Sequence, residues 1–201
     1  MASKTQDLLA QVRQAEHDIL QAKQRLAELR RKLPPQPFPD YAFRTWDGST
    51  VHLSDLFGDK KDLILVHNMG KACNYCTMWA DGLNGVLDRL ESRAAFVVFS
   101  PDEPEVQQRF AQERGWDFRM VSPGDPSFNR EAGFEQDGEP MPGVSVFYRE
   151  GDQVLRVSET EFGPGDDFCA VWHLFDLLRD GPDGWEPSND TRQASPACCG
   201  S

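Results

Sequence analysis

Positive charge is scarce in this sequence, and long apolar runs and repeated cysteine motifs are absent from it. Lys and Arg number 21 against 33 Asp and Glu, a formal net charge of -12. Nucleic-acid binding needs clustered Lys and Arg to neutralise phosphate, so that balance argues against such a partner. No apolar stretch approaches the roughly 20 residues required to cross a bilayer. The first thirty residues are charged throughout and contain no signal-peptide h-region. The expected setting is therefore cytoplasmic, with no membrane contact. Neither an internal repeat nor a phosphate-cradling glycine loop is present. At 201 residues the chain suits one domain with appendages, long enough to bury a real core.

Cysteine is also sparse. The five residues, Cys73, Cys76, Cys169, Cys198 and Cys199, are odd in number and spaced unlike the disulfide framework of a secreted domain. In a reducing compartment a CxxC is catalytic, redox-sensing or metal-binding rather than a structural staple. Zinc normally takes four ligands, and no second CxxC exists to supply them. His67 and the Cys169 to His173 pair, one helical turn apart, are the remaining candidates. The expectation is no metal and no bound cofactor, with Cys169 a small buried hydrophobe and His173 an ordinary interface residue.

What remains for chemistry is the stretch Asp62 to Leu90, DLILVHNMGKACNYCTMWADGLNGVLDRL. Leu63 to His67 suits a strand buried on both faces. From Cys76 onward, Trp79, Leu83, Val86 or Leu87 and Leu90 recur at helical spacing. Cys73 thus falls at a helix start, where unpaired backbone N–H groups and the helix dipole favour an anion. Such placement lowers a thiol pKa from about 8.5 toward roughly 3.5–7.5. Thiol–disulfide exchange needs an attacking thiolate and a second thiol within reach to resolve the mixed disulfide. Cys73 is the expected attacking thiol and Cys76 the resolving one. Lys71 lies two residues upstream, as a further cation for the Cys73 thiolate or simply a solvated loop residue.

Around this centre the chain divides into a helical arm at residues 1–33, a proline-rich linker at 34–40, a domain at 41–180 and a disordered tail at 181–201. In the arm, Leu8, Val12, Ala15, Ile19, Ala22, Leu26, Leu29 and Leu33 form a seam of period 3.5. The seam reads either as a coiled coil, giving a homodimer, or as an amphipathic arm lying across its own domain. Tyr41 to Leu56 reads as a β-hairpin turning at Asp47-Gly48. Then follow a strand at Ala95 to Ser100, a helix at Pro104 to Arg114, a strand at Trp116 to Val121 and a helical turn at Ser127 to Gly133. That alternation requires a parallel sheet with crossover helices, α/β in class. Val144 to Tyr148 and Val154 to Ser158 add an antiparallel hairpin, and Asp166 to Arg179 a closing helix.

A CxxC between a buried strand and a helix, inside such a chain, resembles the thioredoxin-like superfamily. The segments DLILVHNM, CNYCTMWADG and GVSVFYREGDQVLRVSETEFGPG, with the helical leader, resemble its alkyl-hydroperoxide-reductase-like, thiol-specific-antioxidant-like branch. Within that branch they are similar to a bacterial family of unknown function described as predicted dithiol-disulfide oxidoreductases. The resemblance covers about Ser3 to Glu186. It implies a thioredoxin-like fold, a central mixed sheet flanked by helices, here with an N-terminal β-hairpin and a long N-terminal helical arm. It also implies a thiol-disulfide oxidoreductase using Cys73 and Cys76, a protein or small-molecule disulfide as substrate, and a thiol reductant. Met141-Pro142 stands where thioredoxin-like proteins carry a cis-proline, so the resemblance makes both substrate-positioning residues. Tyr75 is the aromatic placed to meet a substrate. Asn74-Tyr75 departs from the Gly-Pro of thioredoxins and the Pro-Tyr of glutaredoxins, leaving the redox potential open.

Two alternatives stand beside this reading. The first is a thiol peroxidase of peroxiredoxin type, but the motif P-x-x-x-T-x-x-C would require Pro and Thr where this chain has Val66 and Gly70. The second is a non-enzymatic redox-sensing or metal-binding interaction module built on the arm. Cys198 and Cys199 form a vicinal pair, read either as inert tail thiols or as a redox relay exchanging with Cys73-Cys76.

Overall fold

The computed structural model describes residues 2–190. Helix α1, Ala2–Lys32, is followed by strands β1 (Gln36–Pro37), β2 (Ala42–Arg44) and β3 (Thr50–His52), and a 3-10 turn at Leu53–Phe57. The central part comprises β4 (Asp62–His67), α2 (Asn74–Asn84), α3 (Leu87–Glu91), β5 (Ala95–Phe99), α4 (Pro104–Arg114) and β6 (Arg119–Pro123). Then come α5 (Phe128–Glu131), β7 (Glu135–Gln136), β8 (Glu139–Pro140), β9 (Gly143–Glu150), β10 (Gln153–Glu161) and α6 (Ala170–Phe175).

Eight strands form one mixed sheet in the order β1-β10-β9-β4-β5-β6-β2-β3. β4, β5 and β6 run parallel, as the strand-helix alternation requires, and β9 joins β4 antiparallel with His67 opposite Gly143. Period two in β4 divides the core between the faces of the sheet. Leu63, Leu65 and His67 face a phenylalanine-rich layer with Phe43, Phe99, Phe128 and Phe147. Ile64 and Val66 face the layer holding Cys76, Trp79, Phe96, Trp116 and Phe118. Full burial of each such side chain contributes about 1.5–3 kcal/mol, which makes β4 the anchor of everything attached to its ends.

The hairpin at Asp47-Gly48 forms, with Gly48 at φ 78°. Helix α4 begins with Pro104 at its first turn and stops at Gly115, whose φ of 69° gives the left-handed C-terminal cap that β-carbon sterics discourage elsewhere.

Three elements differ from expectation. The linker at 34–40 is extended, but it also adds an edge strand, with Gln36 and Pro37 opposite Arg156 and Leu155 and the Phe38 N–H donating to the Val154 carbonyl at 2.9 Å. An edge strand tolerates a proline that a central one does not. The closing helix is confined to Ala170–Phe175 instead of Asp166 to Arg179. At its start, Asp166 folds a turn by accepting the N–H groups of Gly163 and Phe168. Past its end, Leu177 is 81% exposed, so no apolar face remains to sustain helix. In 181–190, assigned by composition to a disordered tail, Pro187 is buried, Trp185 packs on Phe175 and the Asn189 amide donates to the Lys71 carbonyl, while most of the other residues are exposed.

The arm is one continuous helix, and its seam stays open: Leu8, Val12, Ile19, Leu26, Leu29 and Leu33 are each about half exposed. Its contacts with the domain sit toward its C-terminal end. Lys23 pairs with Asp167 at 2.6 Å, and Leu26, Arg30 and Leu33 share a groove with Arg156 to Glu159.

Candidate active site

Where β4 ends, the chain makes one bonded loop before entering α2. The Asn68 N–H donates to the Phe99 carbonyl at 2.9 Å, continuing the β4–β5 ladder, and the Asn68 side-chain oxygen accepts the Gly70 N–H at 2.7 Å. The Lys71 N–H donates to Asp102 Oδ2 at 2.7 Å, and the Cys73 N–H to the Gly70 carbonyl at 3.1 Å. Gly70 has φ 101°, and a β-carbon there would stand 3.2 Å from the Asp102 carboxylate. Asp102 therefore braces the loop from just beyond β5. The sequence reading missed this residue, although the end of a parallel strand beside the β4 loop was the signal available.

Cys73 is the N-cap of α2, in extended backbone, and its Sγ accepts the Cys76 backbone N–H at 3.1 Å. Its side chain is half-buried, whereas Cys76 is buried in the Trp79 layer. The Cys76 thiol, donating to the Cys73 sulfur, holds the Cys73 pKa down to about 7 against opposing desolvation, aided by the Cys76 and Tyr75 backbone N–H groups. Cys76 is displaced strongly the other way, first because its proton is engaged by Cys73 and second by burial. Its Sγ accepts the Met69 N–H at 3.5 Å. The two thiols are thus shifted in opposite directions, Cys73 toward the thiolate and Cys76 toward the protonated form. The Lys71 side chain is exposed.

Tyr75, between the two cysteines, stacks on Trp172 of α6 with ring centroids 5.9 Å apart. Pro142 immediately precedes Gly143, the partner of His67, so it shares the sheet end from which the dithiol loop departs. Every peptide bond among the described residues is trans, which corrects the cis geometry expected for Met141–Pro142. The Met141 N–H is taken by the Phe134 carbonyl at 2.8 Å, and the Pro142 carbonyl accepts the Phe162 N–H at 2.9 Å. The first bond extends the small β7–β8 hairpin, which turns at Asp137-Gly138 just before this segment, and the second extends the β9–β10 ladder.

The other metal candidates have separate surroundings. His67 is fully buried, stacked on Phe134 at 3.9 Å and hydrogen-bonded to Ser145 Oγ at 3.0 Å. Cys169 is buried ahead of α6, its thiol pKa raised by that burial. His173 is exposed, 3.6 Å from Asp167. Among the described residues, no group of three or more His, Cys, Asp or Glu is arranged to hold a metal. No helix among them is long and apolar enough to cross a membrane. Cys198 and Cys199 lie outside the described residues.

Solved structures share this architecture. Reduced Prx3 from Vibrio vulnificus, in complex with hydrogen peroxide, matches with a TM-score of 0.53 and 18% identity over 67% of this chain and 87% of its own. Peroxidoxin BcpB from Mycobacterium tuberculosis matches with a TM-score of 0.52 and 21% identity, covering 63% and 84% of the two chains. The 2-Cys peroxiredoxin of Plasmodium vivax follows at 0.50 and 16%, covering 70% and 95%. At such identities the likeness shows the fold alone, a thioredoxin-like fold that these peroxiredoxin structures share. No curated protein matches the chain. The family model described as bacterial protein of unknown function (DUF899) matches residues 3–193, nearly the whole sequence, and the chain belongs to that family.

Proposed function

We propose that the chain is a thiol-disulfide oxidoreductase working through Cys73 and Cys76. The observation that carries this reading is the N-cap position of Cys73, whose sulfur accepts the Cys76 N–H at 3.1 Å beside a buried, protonated Cys76. The Cys73 thiolate attacks a sulfur of the substrate disulfide, and the other substrate sulfur leaves as a thiol after protonation. Cys76 then gives up its proton and attacks Cys73 Sγ, releasing the second substrate thiol and leaving a Cys73–Cys76 disulfide. Two electrons pass from the pair to the substrate, and a thiol reductant returns them. The substrate is a protein or small-molecule disulfide, and the reducing setting required is cytoplasmic.

The peroxiredoxin-branch fold favours peroxidase as the second reading. Against it, the position that the peroxiredoxin motif gives to threonine is Gly70, where φ is 101° and the Asp102 carboxylate occupies the space a side chain would need. Trapping tests the first reading. Cys76→Ser should accumulate a mixed disulfide at Cys73, and Cys73→Ser should abolish reduction of a model disulfide. Rapid peroxide consumption by the unmodified protein with a thiol donor, without disulfide reduction, would replace it by the second.

A further inference from the structure

The Met141 N–H, which a substrate strand lying beside Pro142 would pair with, is already taken by the Phe134 carbonyl at 2.8 Å. Recognition therefore falls to side chains, and a row of rings leads outward from the dithiol. Tyr75, between the two cysteines, stacks on Trp172 with centroids 5.9 Å apart, and Trp172 lies 6.4 Å from Trp185. Trp185 meets Phe175 at 4.9 Å. Both contacts of Trp185 are steeply inclined, at 69° and 89°, and 41% of the residue stays exposed. The segment that carries it is fastened to the site: Pro187 is buried, and the Asn189 side-chain amide donates to the Lys71 carbonyl at 3.1 Å, two residues before Cys73. An indole fixed in this way is preorganised for binding, and tryptophan is prominent among the side chains that anchor bound partners. Charge selects the occupant. From 176 to 186 the chain exposes Asp176, Asp180, Asp183 and Glu186 against one cation, Arg179. An indole face attracts a guanidinium or ammonium group, and the carboxylates around it add to that attraction. The same carboxylates repel glutathione disulfide, each half of which is net negative. The steps of 5.9 and 6.4 Å from Tyr75 to Trp185 match three or four extended peptide residues at roughly 3.3–3.6 Å each.

We propose that Trp172 and Trp185 form a specificity ledge that selects protein disulfides carrying an arginine or lysine within about four residues of the reacting cysteine, an inference that rests on the redox reading of Cys73 and Cys76. The substrate cysteine meets Cys73, its chain runs over Tyr75 and Trp172, and the cationic side chain lies on the Trp185 indole among the carboxylates. The ledge adds no chemical step. The bonds made and broken are those of the exchange already described, with two electrons passing from the Cys73–Cys76 pair to the substrate disulfide, and the ledge holds that disulfide against the Cys73 sulfur.

Single-turnover mixing tests this on the full-length chain. Reduced protein is mixed with a disulfide-linked peptide dimer carrying arginine three residues to either side of its cysteine, with the same dimer carrying glutamate there, or with glutathione disulfide. Formation of the Cys73–Cys76 disulfide is followed by acid quench and mass spectrometry. The arginine peptide should react about tenfold faster than the glutamate peptide, and glutathione disulfide no faster than the latter. Trp185→Ala should cut that ratio to about two- or three-fold, the part left to the carboxylates, and Trp185→Phe, which keeps a ring, should hold most of it. Equal rates for the two peptides with the unmodified protein overturn the ledge, as does a Trp185→Ala variant that slows both peptides by the same factor. Either result leaves the Cys73–Cys76 couple standing, because the disulfide still forms. If none of the three disulfides oxidises the pair, the redox reading falls and the ledge falls with it.

Discussion

The Lys71 backbone N–H donates to Asp102 Oδ2 at 2.7 Å, tying the loop that delivers Cys73 to the chain just after β5. A hydrogen bond to a charged acceptor contributes roughly 1.5–3 kcal/mol, less where solvent reaches it, as it does at this partly exposed carboxylate. Asp102→Ala should therefore cost about 1 kcal/mol and lower the melting temperature by roughly 2–4 °C in a chain of this size. Asp102→Asn keeps an acceptor oxygen at the same place and should restore most of the loss. Equal losses in the two variants would show that the acceptor to Lys71 is not what matters.

Alkylation rates should separate the two thiols. The Cys73 thiolate is populated as pH rises through about 7, whereas Cys76 remains protonated across that range. Iodoacetamide should modify Cys73 several-fold faster than Cys76 at pH 7, with a rate profile whose midpoint lies near 7. Equal rates, or a midpoint near the ordinary thiol value of about 8.5, would contradict the N-cap assignment.

The parts of this arrangement legible in the sequence are those set by local pattern. The run Leu63 to His67 marked a central strand because period two cannot hide polar residues between two covered faces, and Cys76 with Trp79 marked the buried side of α2. Asp47-Gly48 announced its hairpin through turn chemistry alone. Asp137-Gly138 carries the same turn chemistry, but the strands it joins, Glu135–Gln136 and Glu139–Pro140, are too short to show an alternating pattern. Long-range bonds left no local trace: Asp102 to Lys71 spans 31 positions and Asn189 to Lys71 spans 118. The closing helix is shorter than its pattern because Leu174, Leu177 and Leu178 keep helical spacing although the fold offers them no surface.

His67 predicts a pH dependence of stability. Burial among phenylalanine rings depresses its pKa to about 3, so the folded protein keeps it neutral well below the range in which an unfolded chain takes up its proton. Between about 6.5 and 3 the unfolded state therefore binds more protons, and stability falls as pH is lowered through that window. The slope from one such group reaches about 1.4 kcal/mol per pH unit. Urea unfolding at pH 6.5 and 5 should show this loss, and His67→Leu should flatten it even if the variant is less stable overall. A slope unchanged by the substitution would place the titration elsewhere.

The arm supplies the last test. Among the described residues, none of the core on either face of the sheet comes from the arm, so deleting it removes little buried area beyond the groove near Arg156 and the Lys23–Asp167 pair. That exposed pair is worth at most about 1 kcal/mol. Deletion of residues 1–33 should leave a folded domain whose melting temperature drops by only a few degrees. Within the 31-residue helix the seam carries Leu8, Val12, Ile19, Leu26 and Leu29 about half exposed, an apolar stripe of roughly 32 Å at 1.5 Å per residue. A seam of period 3.5 matches a second copy of itself, while Ala15 and Ala22 reduce the area each pair buries. Full-length protein should therefore sediment as a weak, concentration-dependent dimer and the deleted form as a monomer. Charged substitutions at Val12 and Ile19 should abolish dimerisation without lowering the melting temperature of the domain. If deletion leaves the mass unchanged but strips thermal stability, the arm packs on its own domain and the seam is not a dimer interface.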